Sequence, residues 1–230
     1  MPPAEYIVGG YFFIAEGEAP SELLPASFLS PTDCICRIVP GDAGLPWIAS
    51  PPSSTDLRTF LQLSESDLLD LQRWLEARTE ENDYGWPSVF LREDLAAEFR
   101  QRYLQARNDV HLISVAFAAV DLEDAVRDFE SQGIEDCGVA RKLVEGEALD
   151  PTRGQPRGFD ILGIEFNGGF HSFPCNGLES DFVEVLGISL NEFGLIDSRD
   201  DADRAAKYTN EESTGAEPVP WFPCRITKLR

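Results

Sequence analysis

The sequence predicts a single α+β domain: a mixed, largely antiparallel sheet of about five to seven strands, with helices packed on its faces. Three observations carry this. Val110 to Val120 is apolar on both alternating sets of side chains, as a central strand covered on both sides must be. Helical stripes at three- and four-residue steps flank it. Asn167-Gly168, set between two apolar runs, is a strong antiparallel hairpin signal. The 230 residues, 43% of them hydrophobic, can bury one core. There is no internal repeat, heptad run or low-complexity tract. Gly146 to Gly158 is the one tempting boundary, and it reads as a loop because the strands on either side are too few for two sheets. The domain is therefore expected to span 1–230, with a Pro-rich, extended part over 1–60.

Nine of the sixteen prolines precede residue 53, which favours short extended pieces and turns there. Tyr6 to Ile14 and Cys34 to Val39 have strand composition, and Pro40 to Ser54 reads as a long loop. Ser64, with Asp67 three residues on, opens a helix that buries Leu68, Leu71, Trp74 and Leu75 and ends near Arg78 to Glu81. Leu91, Leu95, Phe99 and Tyr103 repeat at four-residue steps in a second helix expected over Leu91 to Arg107.

After the central strand, Asp121 is placed as the cap of a helix with Asp124 at its third position. Leu122, Ala125, Val126 and Phe129 form its buried stripe, and Gly133 ends it. Phe159 to Phe166 and Gly169 to Phe173 form the hairpin around Asn167-Gly168. Leu178, Phe182, Val185 and Leu186 share one helical face closed by Gly187, and Ser198 with Asp201 opens a last helix to about Tyr208. Trp221 to Leu229 reads as a terminal strand.

Acids outnumber bases 41 to 19, a formal charge of −22 with a pI near 4.3. Such a field repels phosphate backbones and anionic lipid, which argues against nucleic-acid and membrane partners, and it speeds encounter with a basic protein. Solubility and salt adaptation explain the same excess without a partner, and three lysines against sixteen arginines do not separate these readings. Five cysteines, an odd number in a chain too long to need staples, read as reduced thiols. With no basic leader and no apolar run of membrane length, a cytoplasmic location is expected.

The segment from Gly168 to Gly177 places His171, Ser172, Cys175 and Asn176 just after the hairpin. A thiolate and an imidazole in hydrogen-bond reach, with Asn176 or Asp160 orienting the ring, would make a nucleophilic site, and Trp86 or Trp221 could line its pocket. The plainer reading takes precedence: His171 and Ser172 satisfy backbone groups, Cys175 fills space, and His111 pairs with a carbonyl at the end of the central strand. Cys34-Ile35-Cys36 with His171, Cys175 and Cys224 could be assembled into a zinc site only on paper, because the ligand spacing is wrong, so no metal and no cofactor are expected. Acidic pairs such as Glu80 and Glu81, Asp200 and Asp201, or Glu211 and Glu212 read as solvated faces. No nucleotide-binding, nucleophile-elbow or zincin motif is present.

Gly158-Phe159-Asp160-Ile161-Leu162-Gly163, Phe170-His171-Ser172-Phe173, Cys175-Asn176-Gly177-Leu178-Glu179 and Leu190-Asn191-Glu192-Phe193-Gly194-Leu195-Ile196 resemble small uncharacterised bacterial proteins of the immunity type, from toxin systems. The resemblance covers the C-terminal third and leaves the Pro-rich start unmatched. It implies an intracellular protein that binds and masks a basic toxin, and it carries no contact residue over. The expected function is thus an acidic interaction protein of the immunity or inhibitor kind, with a small enzyme or ligand-binding protein using His171 and Cys175 as the alternative. An interaction protein should gather its acids in a patch, whereas an enzyme should bring His171 and Cys175 together beside a cleft.

Overall fold

The computed structural model describes residues 6–15, 22–31, 61–81, 83–85, 89–133, 138–164 and 170–229. The proposed strand Cys34 to Val39, the loop after it, Cys137, Trp86 and the Asn167-Gly168 turn lie outside them.

β1 (Tyr6–Ala15) runs antiparallel to β4 (Val110–Ala118) along its whole length. The register shifts between Val8 and Gly10, so the alternation slips by one residue. Val8, Tyr11 and Phe13 consequently face one layer while Ile7, Phe12 and Ile14 face the other. The bulge requires glycine, because a Cβ at Gly9 would lie 2.7 Å from the Phe117 ring. β2 (Tyr84–Gly85) and β3 (Val89–Phe90) extend the sheet beyond β1, and β7 (Trp221–Lys228), β5 (Gln155–Ile164) and β6 (Phe170–Ser172) extend it beyond β4. The order is β2-β3-β1-β4-β7-β5-β6, and every described pairing is antiparallel. The α+β class holds, and β4 is central with both faces buried, as its composition requires.

Helices cover both faces. On one side α1 (Glu65–Glu80) and α2 (Glu93–Tyr103) close over β1, β3 and β4. Trp74, Phe90, Phe99 and Tyr103 meet there with ring centroids 5.3 to 6.3 Å apart. The Ser64 capping box is present, while α2 is shorter than its stripe suggested and stops at Tyr103. On the same side, farther along the sheet, α5 (Glu179–Glu184) and α6 (Arg199–Thr209) pack Phe182, Ala202 and Ala205 against Ile161 and Trp221. Val185 falls beyond α5 and is 62% exposed rather than part of a buried face.

On the opposite side lie α3 (Ala119–Gln132), α4 (Gly138–Glu145) and the segment 22–31, whose Leu24, Phe28 and Leu29 join Val115, Phe117, Leu162 and Ile226 in the largest core. α3 begins two residues before the expected cap: its N-cap is Ala118, and Asp121 stands inside the first turn, held by Arg199 of α6. Gly133 ends it in the left-handed conformation. α4 was not foreseen. Its Lys142 is only 4% exposed, with its ammonium on Glu147 and 6.0 Å from the Tyr11 ring centre.

Candidate functional site

The hairpin fixes where the expected catalytic groups point. Successive strand residues face opposite sides, and the β5–β6 register pairs Leu162 with Ser172 and Gly163 with His171. His171 therefore shares the face of Ile161 and Trp221, with its ring 6.4 Å from that of Trp221 and its Nδ1 3.9 Å from Glu217 Oε1. Asp160 shares the face of Leu162 and Ile164, on the other side of the sheet. The reading in which Asp160 orients the His171 imidazole is thus corrected: the sheet stands between them. Cys175 sits in the 3-10 turn Phe173–Asn176, and its sulfur lies 3.9 Å from the Ser172 hydroxyl, a contact distinct from that of His171 with Glu217. Asn176 uses its amide on the Ser172 carbonyl and on the Glu217 N–H, which bonds the turn to the 217–220 loop. Trp221 is 3% exposed within the core and is not among the residues that line the described clefts. His111 stands in β4, separated from β6 by β7 and β5.

Asp160 has a structural environment of its own. It is fully buried opposite Cys224, accepts from the Ser30 hydroxyl, and accepts from its neighbour Ile161 N–H at 2.7 Å. Burial pushes its carboxyl up to about 7 against the pull of these two donors. Burial likewise raises the Cys224 thiol, the opposite of what a reactive thiolate needs.

A concave site among the described residues is built instead on α3. Asp121, Asp124 and Asp128 recur at helical spacing and form one rim of a cleft of about 410 Å³. Ala125, Phe129, Ile164 and Phe222 give it an apolar floor, and Pro218-Val219-Pro220 forms the opposite wall. That wall is braced from behind, where Val219 packs on the Trp221 core and the Trp221 indole N–H donates to the Glu217 carbonyl at 3.0 Å. Arg199 anchors the near end of the rim, donating to Asp121 and, at 2.8 Å, to Asp203. Burial alone would lower the Arg199 guanidinium, but these two carboxylates carry it above its ordinary range. Asp124, 90% exposed, meets the exposed Arg127 at 2.8 Å, and Asp128 is exposed.

Charge is unequally shared among the helices. α3 carries five carboxylates against one arginine, α1 five against two, α5 three against none, and α6 three of each sign. The sequence held this signal in the 121/124/128 spacing, but reading Asp121 and Asp124 as a cap concealed it. No protein-family model, curated protein or solved structure matches this chain. The functional reading rests on the cleft itself. An apolar trough with carboxylates on one rim can hold a segment that offers both aliphatic surface and ammonium or guanidinium groups. Among the described residues no three of His, Cys, Asp and Glu converge as a metal site would require, and the Cys34-Ile35-Cys36 segment lies outside them. No described helix is long and apolar enough to cross a membrane.

Proposed function

We propose that this chain is a cytoplasmic protein-interaction module of the immunity or inhibitor kind, which masks a basic partner by seating one of its segments in the cleft between α3 and residues 218–222. The observation that carries the proposal is the alignment of Asp121, Asp124 and Asp128 along one edge of an apolar trough. A solubilising surface needs acids only in water, scattered with respect to hydrophobic floor. Here three of them border it. The overall charge of −22 adds long-range attraction for a cationic partner.

Titration calorimetry with two synthetic peptides tests it. A peptide alternating lysine and leucine should bind, and one alternating lysine and serine should bind at least about tenfold more weakly, because the trough then gains no apolar burial. Equal affinity for the two would reduce the cleft to a diffuse charge effect and remove the proposal.

A further inference from the structure

We propose that the side chain which the α3 cleft selects from its partner is an arginine in preference to a lysine, with the guanidinium laid on the aromatic floor and its N–H edge turned to the acceptors of the rim and wall. This rests on the docking role of the cleft and adds the chemistry that its occupant must bring.

The polar groups around the trough accept and do not donate. Pro218 and Pro220 have no N–H. Val219 packs its side chain on the Trp221 core, so it meets the cleft with its backbone, and its N–H is spent on the Glu217 carbonyl at 2.8 Å. On the floor, the Ile164 N–H donates to the Pro220 carbonyl at 3.1 Å. At the near end of the rim, Arg199 is turned to Asp121 and Asp203. What the wall can still offer is a carbonyl oxygen, since those of Pro218 and Val219 accept no hydrogen bond from the described residues. The rim offers carboxylates. A neutral acceptor or an anion finds no partner in such a trough, whereas a cation rich in N–H donors does.

An ammonium and a guanidinium both satisfy the charge, and the floor separates them. Phe129 and the partly buried Phe222 bring aromatic rings to it. A guanidinium is planar and weakly hydrated, so it rests its face on a ring while its edge donates; an ammonium must shed a tightly held hydration shell to sit there. The chain builds the same arrangement within itself. Arg102 stands 5.2 Å from the Tyr103 ring centre while donating to Asp70 at 2.7 Å and to Glu98 at 2.9 Å. Carboxylates remain available to an incoming group: Asp128 is exposed, and the ion pair of Asp124 with Arg127 is exposed on both sides and competes weakly.

Titration calorimetry on the full chain tests this, with peptides alternating leucine with arginine, with lysine or with citrulline. The arginine peptide should bind at least about fivefold more tightly than the lysine peptide, and the citrulline peptide, which keeps the shape and loses the charge, should bind most weakly. Phe222→Leu, with its fold checked by amide spectra, should bring the arginine and lysine affinities within about twofold of each other, whereas Asp128→Asn should weaken both. The comparison on the parent needs no variant and decides by itself. Equal affinity of the parent for the arginine and lysine peptides, a citrulline peptide as tight as the arginine one, or an arginine preference unchanged by Phe222→Leu would overturn the proposal and leave the docking reading standing. Failure of both charged peptides to bind would remove the two together.

Discussion

The Ser30 hydroxyl donates to the buried carboxyl of Asp160, 130 residues away in the chain, and so bonds the proline-rich start of the sequence to the middle of β5. Leu29 N–H donates to the Phe193 carbonyl at 3.1 Å beside it, and Leu24 and Phe28 close over Gly194, where a Cβ would come within 2.8 Å of the Phe28 ring. The same contacts leave a carboxyl in an apolar layer with two donors, neither of them a cation.

That arrangement makes stability depend on pH in a defined direction. The folded Asp160 titrates at about 7 and the unfolded one at 3.8, so the folded state holds the extra proton between these values. Its contribution is complete below the lower value and is lost as pH rises through the upper one, a change of up to about 4 kcal/mol. Urea denaturation between pH 5 and pH 8 should show Asp160→Asn losing much less stability with rising pH than the parent. Asp160→Ala should cost about 1–3 kcal/mol at pH 5, by leaving Ser30 and Ile161 N–H without their acceptor, and progressively less relative to the parent as pH rises, because it too lacks the titrating carboxyl.

Lys142 and Glu147 offer an asymmetric pair. The ammonium is buried and the carboxylate is half exposed at 51%. Glu147→Ala should destabilise by about 2 kcal/mol, because it strands a buried charge and removes the acceptor that Tyr11 uses at 3.3 Å. Lys142→Met, which fills the same space without charge, should cost less than about 1 kcal/mol in the same denaturation series. Equal losses would show that the pair itself, not the desolvation of Lys142, governs the site.

The Ser64 capping box gives a local check on the α1 layer. Ser64→Ala removes the acceptor for Asp67 N–H and should lower stability by about 1 kcal/mol, read from the denaturation midpoint with an unchanged slope.

Much of the fold was legible where one local rule had no competitor. Ser64 with Asp67, the apolar faces of the strand expected over Val110 to Val120, and Gly133 at the end of α3 each act within a few residues and stand where they were expected, except that the strand stops at Ala118 and Val120, 69% exposed, already belongs to α3. Misreadings arose where a tertiary contact took a residue for another purpose. Asp121 looks like a cap but serves Arg199, 78 residues away. Gln155-Pro156-Arg157-Gly158 looks like a loop but begins β5, because a bulge accommodates both Pro156 and Gly158. α4 was invisible because it is short and buries a lysine, which its pattern would place in water. The pairing of His171 with Asp160 rests on nearness in sequence, and strand alternation divides the two between opposite sides of the sheet. The α3 rim becomes a site only when residues 218–222 fold back across from it, and no local pattern announces that return.

Amide chemical-shift mapping of the lysine–leucine peptide on the parent and on an Asp124→Asn, Asp128→Asn variant tests the central claim most directly. Shifts should concentrate on α3 and residues 218–222, the variant should bind at least about tenfold more weakly, and added salt should weaken the parent more than the variant. Shifts spread equally over α1, α5 and α3, with an affinity the variant leaves unchanged, would contradict it.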